Sequence, residues 1–140
     1  MKNALGKKED LNLYNKEGKL IYKYGKDSDG FSCKGTYDSN GNPLTYEDSN
    51  GYSWKATYDE NGNRLTYENS DGFSCKRTYD KNGNQLTYEN SDGFSSKNTY
   101  DSNGNELTHQ NSDGFKRGFD IPELTMEELV KKIGNFKLVK

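Results

Sequence analysis

The sequence predicts a mainly β fold: an elongated single antiparallel β-meander of 21-residue hairpin repeats with one short C-terminal α-helix. Three observations lead to this prediction. One phrase of 21 residues begins at Thr36, Thr57, Thr78 and Thr99 with few changes. Each copy alternates apolar and polar residues, and each contains two glycine turn signals. A fixed period of this length indicates a repeat architecture in which each unit packs against its neighbours.

The composition limits the classes of protein that remain. Only 29% of the 140 residues are hydrophobic, which is low for a globular core. The 11 Tyr and 6 Phe residues nevertheless recur in phase with the repeat, so the apolar side chains are concentrated on one surface. The net charge of −2 comes from interspersed charges, which makes nucleic-acid binding unlikely and provides no polybasic membrane patch. The sequence shows no signal-peptide core or apolar span, so we expect a cytoplasmic protein with no membrane partner.

Four segments are predicted along the chain: a flexible N-terminus at 1–10, a capping hairpin leading into the first repeat at 11–35, four 21-residue hairpin repeats at 36–120, and a helix with a tail at 121–140. The helix is expected over 125–133, because Thr125 and Glu128 form a capping box ahead of an apolar stripe. In the capping hairpin, Tyr14, Leu20 and Tyr22 stand where the repeats carry Tyr, Leu and Tyr.

The two turns of each repeat predict the strand register. Asn61-Gly62 is expected to form a two-residue type I′ turn, and the segment 70–72, Ser-Asp-Gly, a three-residue loop. Residues paired across antiparallel strands point to the same face. This register places the large apolar residues on one face, which we call the aromatic face, and pairs of Thr and pairs of Lys with Glu on the other, which we call the polar face. The predicted pairs are Tyr58 with Leu65, Ala56 with Tyr67, Trp54 with Asn69, Tyr67 with Cys75, Thr57 with Thr66, and Lys55 with Glu68.

A short phrase in the repeat resembles a known family. Tyr-Asp-x-Asn-Gly-Asn-x-Leu, at 37–44, 58–65, 79–86 and 100–107, resembles the YD repeats of the Rhs family over about 36–120. The resemblance implies winding β-sheets. It implies no toxin or self-cleaving activity here, because the repeats are too few to enclose a cargo. The hairpins are also similar to choline-binding cell-wall repeats, and in style to small accessory proteins of phages and mobile elements.

Neither a metal site nor a cofactor site is predicted. Asp38-x-Asn40-x-Asn42 resembles the start of a calcium loop, but this segment lacks the Gly at the sixth and the Glu at the twelfth position. The same residues favour turns.

The two cysteines and the histidine do not predict a catalytic site either. Cys33 and Cys75 lie two repeats apart, or about 19 Å at the strand spacing of a sheet, which is beyond the reach of a disulfide. His109 lies about three strands from Cys75, too far for a Cys-His pair. We therefore expect reduced cysteines and a protein that is not an enzyme.

The candidate binding residues come from comparing the repeats with one another. Two central positions of the aromatic face vary, whereas the aromatic residues around them are nearly fixed. Either drift under loose packing or a binding strip explains this variation. A nine-residue helix covers only about three strands, so most of the face is expected to stay open to a partner. The predicted binding residues are Trp54, Tyr58, Tyr67, Phe73, Arg77, Tyr79 and Tyr88.

The sequence thus predicts a non-catalytic module that binds another protein, a second copy of itself, or both, through the aromatic face. Its predicted specific form is an inhibitor or decoy encoded by a phage or mobile element. The alternative is a carbohydrate or cell-surface binding repeat protein, and a hydrolase is a distant third.

Overall fold

The computed structural model describes residues 9–118 together with Glu127 and Lys131. Eleven strands form a single antiparallel sheet in which spatial order follows chain order. The prediction of a mainly β antiparallel meander is confirmed. The strands are β1 (Glu9–Tyr14), β2 (Leu20–Lys26), β3 (Ser32–Tyr37), β4 (Pro43–Asp48), β5 (Ser53–Tyr58), β6 (Arg64–Asn69), β7 (Ser74–Tyr79), β8 (Gln85–Asn90), β9 (Ser95–Tyr100), β10 (Glu106–Asn111) and β11 (Lys116–Arg117). The predicted helix over 125–133 lies outside the described residues, apart from Glu127 and Lys131, which are helical and exposed.

The sheet has one layer within the described part of the chain. Each strand contacts only the strands before and after it. Ala56, Cys75 and Ser96 are the buried residues of this part, with exposed fractions of 5%, 3% and 7%. Stability therefore depends on contacts between neighbouring hairpins, as in other repeat proteins.

Both kinds of turn are three-residue loops of the same construction. The N–H of Asp59 donates to the carbonyl of Asn63 at 3.0 Å, and the N–H of Gly62 donates to the carbonyl of Asp59 at 3.1 Å. Oδ1 of Asp59 also accepts the N–H groups of Asn61 and Asn63 at 2.9 and 2.8 Å. These bonds make residues 59–62 a turn with glycine fourth, at φ 84°. The prediction of a two-residue type I′ turn at Asn61-Gly62 is wrong. Asp59 accepts the N–H groups of Asn61 and Asn63, and this arrangement closes a three-residue loop instead.

A β-bulge supplies the odd residue of the 21-residue period. Tyr58 pairs with Arg64 and not with Leu65, and the ladder passes over Leu65 between Thr66 and Arg64. The bulge recurs at the same place in the neighbouring repeats. It restores the alternation that a second three-residue loop would otherwise break. The other predicted pairs, Trp54 with Asn69, Ala56 with Tyr67, Tyr67 with Cys75, Thr57 with Thr66, and Lys55 with Glu68, are confirmed.

The polar face carries the predicted ladders. The hydroxyls of Thr57 and Thr66 lie 2.6 Å apart, and the same contact recurs in the other repeats. Lys34 Nζ lies 2.8 Å from the carboxylate of Glu47, and Lys55 pairs with Glu68. Their side chains are about half exposed or more, so solvent screens each ion pair and its contribution to stability is small.

The first hairpin, β1 and β2, presents four of its apolar residues on the polar face. Leu11 pairs with Tyr24, which in turn pairs with Lys34 of β3, and Leu13 pairs with Tyr22. Paired residues share a face, so the face that carries Lys34 also carries Leu11, Leu13, Tyr22 and Tyr24. The predicted match of Tyr14 is confirmed, since Tyr14 precedes its turn as Tyr37 does, whereas the predicted matches of Leu20 and Tyr22 are wrong by one residue.

The reason for that error is the position of the first turn. The N–H of Gly18 donates to the carbonyl of Asn15, as the N–H of Gly41 does to Asp38. Counting from these turns, Leu20 occupies the position of Pro43 in the repeat, one residue away from the predicted match. That shift of one residue moves Tyr22 and Tyr24 of β2 to the other face, whereas Tyr14 of β1 keeps its predicted match.

Candidate functional site

The seven predicted binding residues lie together in the middle of the sheet. All seven are half-buried. Trp54 and Tyr58 belong to β5, Tyr67 to β6, Arg77 and Tyr79 to β7, and Tyr88 to β8, while Phe73 directly precedes β7.

A continuous cluster of rings crosses β4, β5 and β6. The ring of Trp54 stacks on Tyr46 with centroids 6.2 Å apart and an interplanar angle of 10°, and lies 5.8 Å from the ring of Tyr67 on its other side. Tyr67 also contacts Phe73 at 6.3 Å, and its hydroxyl lies 3.0 Å from that of Tyr52. Neither Tyr46 nor Tyr52 was among the predicted binding residues. Their positions one repeat before Tyr67 and Phe73 carried the signal for including them.

Two arginines lie against this aromatic surface. The guanidinium carbon of Arg77 lies 4.9 Å from the ring centroid of Tyr88, and that of Arg64 lies 5.0 Å from the centroid of Tyr67. Cation–π contacts of this kind contribute about 0.5–1 kcal/mol at exposed sites and more in dry ones. Arg64 was not predicted, because strict alternation puts it on the polar face with Thr66. The bulge at Leu65 turns it toward the aromatic face instead.

The structure divides the variable central positions into two groups. Ala56, Cys75 and Ser96 are small and buried. Trp54 and Arg77 are larger and half-exposed, and Arg77 Nη1 donates to Cys75 Sγ at 3.2 Å, so it lies over that thiol. Packing therefore accounts for the small residues, whereas Trp54 and Arg77 are only partly buried.

Two tyrosine hydroxyls of this surface, those of Tyr67 and Tyr79, make hydrogen bonds within the sheet. Tyr79 Oη donates to the carbonyl of Arg64 at 3.1 Å, so it bridges from one repeat to the bulge of the one before. Burial raises the pKa of Tyr58, and the hydrogen bond with Tyr52, together with burial, raises the pKa of Tyr67. A raised pKa keeps the hydroxyls of Tyr58 and Tyr67 neutral, so among the residues of this surface the charge comes from Arg64 and Arg77.

The Asp-x-Asn-x-Asn segments use their carboxylates within the turns. Oδ1 of Asp38 accepts the N–H groups of Asn40 and Asn42, and Oδ2 accepts Nδ2 of Asn42 at 2.9 Å. The hydrogen bond from the Asn42 side chain is the main cause that lowers the pKa of Asp38. Within residues 9–118, no group of three or more His, Cys, Asp and Glu side chains is arranged to hold a metal ion.

The cysteines and the histidine have separate environments. Cys33 and Cys75 are free thiols, on β3 and β7. His109 Nδ1 contacts Oδ1 of Asn98 on β9, and the His109 ring lies 5.7 Å from that of Phe115, which directly precedes β11.

The architecture defines the chain as a protein of antiparallel β-hairpin repeats. The RHS repeat family matches residues 37–74, so that part of the chain is an RHS-type (YD) repeat segment, as the resemblance of its Tyr-Asp phrase implied. No curated protein matches the sequence. A solved structure titled "Crystal Structure of TcdB2-TccC3-Cdc42" is similar with a TM-score of 0.46 and 17% identity. The similarity covers 73% of this chain and only 7% of that one. No helix among the described residues is long and apolar enough to cross a membrane.

Proposed function

We propose that this chain is a non-catalytic repeat module that binds another protein through the middle of its aromatic face. One observation carries the proposal: the ring cluster around Trp54 continues into Arg64 and Arg77 on a sheet that has no second layer among its described residues. Contiguous apolar surface that a protein leaves accessible usually marks an interface. Trp, Tyr and Arg are also the residues most often found to dominate binding energy.

The charges of the strip favour a partner with acidic groups. Arg64 and Arg77 each hold one face of the guanidinium against a ring, which leaves further N–H donors for a partner. Carboxylates form the strongest hydrogen bonds with such donors. The partner surface that fits this strip best is therefore apolar at its centre and carries Asp or Glu beside it.

Carbohydrate binding has less support from the geometry. Sugar rings bind proteins by stacking on an open aromatic face, and Trp54 has Tyr46 on one side and Tyr67 on the other. A module that binds without a reaction of its own acts by covering a surface of its partner. We therefore extend the proposal to an inhibitor or decoy, with a phage or mobile element as its source.

The test compares two double variants on the same strands. Trp54→Ala with Arg77→Ala alters the aromatic face. Lys55→Ala with Lys76→Ala alters the neighbouring residues of the same strands, which lie on the polar face. Each protein is immobilised and exposed to bacterial lysate, and captured proteins are quantified by mass spectrometry. We expect the parent and the lysine variant to retain one stoichiometric partner, and the aromatic-face variant to lose it.

Two results would contradict the proposal. Equal capture by both folded variants would move binding away from the aromatic face. Quenching of Trp54 fluorescence by a glycan panel, with no protein captured, would support the carbohydrate alternative instead.

A further inference from the structure

The two edges of the sheet differ in how they are protected against pairing. At one end β11 has two residues, Lys116 and Arg117, and such short, basic strands discourage strand addition. At the other end β1 has six residues, all of them exposed, and the last four, LNLY, carry no charge. Within the described residues β1 has β2 as its single neighbour. An exposed edge with four uncharged residues in succession is a template for another strand.

The same strand carries exposed leucines on the face where the repeats are polar. Leu11 and Leu13 have exposed fractions of 48% and 46%. They occupy the positions that Lys34 and Thr36 occupy in β3, counted from the turn that follows each strand. Together with Tyr22 and Tyr24 of β2 they form an apolar patch that reaches the edge of the sheet.

We propose that β1 is a self-association site, at which the β1 strands of two copies pair antiparallel about a two-fold axis through Asn12. The axis is perpendicular to the sheet, so each face of one copy continues into the same face of the other. Leu11 then lies opposite Leu13 of the second copy, and the two apolar patches merge. The interface is isologous, as in most homodimers.

The sequence of β1 favours a second copy over other extended segments. With Asn12 on the axis, Leu11 and Leu13 stand at equal distances from it, so leucine lies opposite leucine on both sides of the axis. The register also sets Asp10 opposite Tyr14 and Glu9 opposite Asn15 of the second copy, so like charges do not meet. This inference is independent of the partner proposed for the aromatic face, because it concerns the polar face and one edge.

The first test restores the pattern of the repeats. Leu11→Lys with Leu13→Thr gives β1 the residues that β3 carries at the same positions, and β3 shows that a strand of this sheet accepts them. Sedimentation velocity over a wide concentration range should show the parent as a dimer of twice its 15.9 kDa mass, in reversible equilibrium with the monomer. The variant should raise the dimer dissociation constant about tenfold or more. Leu107→Thr, which changes a leucine that is 53% exposed near the other end, is the control and should dimerise as the parent does.

A second pair of variants keeps the test decisive if the first alters folding. Asn12 pairs with Lys23 of β2, so Asn12→Glu gains an opposite charge within its own hairpin. Across the two-fold axis the new Glu meets itself, and the dimer should be lost. Mixing this variant with Asn12→Lys should restore a dimer, because the axis position then holds opposite charges.

Three results would overturn the inference. They are a parent that stays monomeric at every concentration, dimerisation of Asn12→Glu with the affinity of the parent, or loss of the dimer in the Leu107→Thr control.

Discussion

The first hairpin and the repeats have turns of the same construction, but they carry apolar residues on opposite faces of the sheet. In both, a three-residue loop is closed by the N–H of an Asn or Asp that donates to a carbonyl four residues on, at 2.8 Å for Asn15 and 3.0 Å for Asp59. In the repeats the residues three and five before that turn residue, Ala56 and Trp54, are apolar. In the first hairpin the residues two and four before Asn15, Leu13 and Leu11, are apolar instead.

This difference shows that register and sidedness are specified separately. The turns fix which residues pair, because the side chain of the first turn residue binds two N–H groups in every loop. The polarity of the strand residues then decides which face can bind apolar surface. One sheet can therefore carry apolar surfaces on opposite faces without a change of backbone plan.

The largest expected effect comes from breaking the shared turn inside the repeats. Gly83 has φ +85°, and a β-branched residue there should cost about 2 kcal/mol or more, because the left-handed region is strained for L-residues. Gly83→Val should lower the urea midpoint and speed amide exchange in β7 and β8. A Cβ at Gly83 meets Asn63 at an ordinary 3.6 Å, so the strain comes from the backbone and not from crowding.

Two matched variants sharpen that test. Gly83→Asn should cost much less than Gly83→Val, since Asn tolerates positive φ. Gly18→Val strains the same turn at the end of the array, and its effect on exchange should stay within β1 and β2, because repeats transmit changes only to their neighbours. Unchanged exchange in β7 and β8 of Gly83→Val would refute the turn assignment.

The second prediction enlarges the same position in the two regions. Ala56 is 5% exposed, and Ala56→Leu should destabilise by about 1–3 kcal/mol, because the added atoms have no space beside Tyr67. Asn12 holds the equivalent position in the first hairpin and is exposed, so Asn12→Leu should change the unfolding free energy by less than about 0.5 kcal/mol. Urea denaturation of both variants at low protein concentration measures the difference, and equal losses would contradict the account.

The sequence was sufficient for the features that depend on repetition. The period, the pairing of Ala56 with Tyr67 and the ladder of Thr57 with Thr66 follow from turn spacing and strand alternation. The location of the seven predicted binding residues on one face follows from the same alternation.

Features that break the alternation could not be predicted in this way. Asn61-Gly62 is compatible with a two-residue turn and with a three-residue loop. The hydrogen bonds of the Asp59 side chain favour the three-residue loop, and the bulge at Leu65 accompanies that loop. Arg64 reaches the aromatic face only through that bulge. The sequence does not fix the match of β2 with the repeats, because Leu20 and Ile21 are both apolar and either can stand in the position of the repeat leucine.

The third prediction uses the chemistry of one turn residue, which is Asn15 in the first hairpin and Asp at the equivalent turn of each repeat. Hydrogen bonds from the neighbouring Asn side chains lower the pKa of the four repeat carboxyls, at Asp38, Asp59, Asp80 and Asp101. Their contribution to stability is therefore present above the unfolded value of about 3.9 and is lost as pH falls through the lower folded-state pKa. Below about pH 4 the urea midpoint of the parent should fall.

The matched variant replaces all four of these carboxyls by Asn, the residue that Asn15 shows the turn to accept. Its urea midpoint should fall less steeply with acid than that of the parent. Identical pH profiles would show that the turn carboxyls do not couple to folding.

The smallest effect is expected at the cysteines. Ser96 holds the position of Cys75 in the next repeat and is buried there, so Cys33→Ser with Cys75→Ser should keep the fold and cost about 1 kcal/mol or less. Reductant should leave the melting temperature of the parent unchanged, because both thiols are free. Loss of folding on reduction, or an intact mass that is two units light, would show a disulfide.

The sidedness of the first hairpin is tested most directly by nuclear Overhauser effects from the ring of Tyr24. Cross-strand partners have Cβ atoms about 5 Å apart on one face. If Tyr24 lies on the polar face, its ring contacts the methyl groups of Leu11 and the side chain of Lys34, and we expect both contacts. Contacts from Tyr24 to the side chain of Cys33 or to the ring of Tyr46, without those to Lys34, would place the hairpin on the aromatic face and contradict the account.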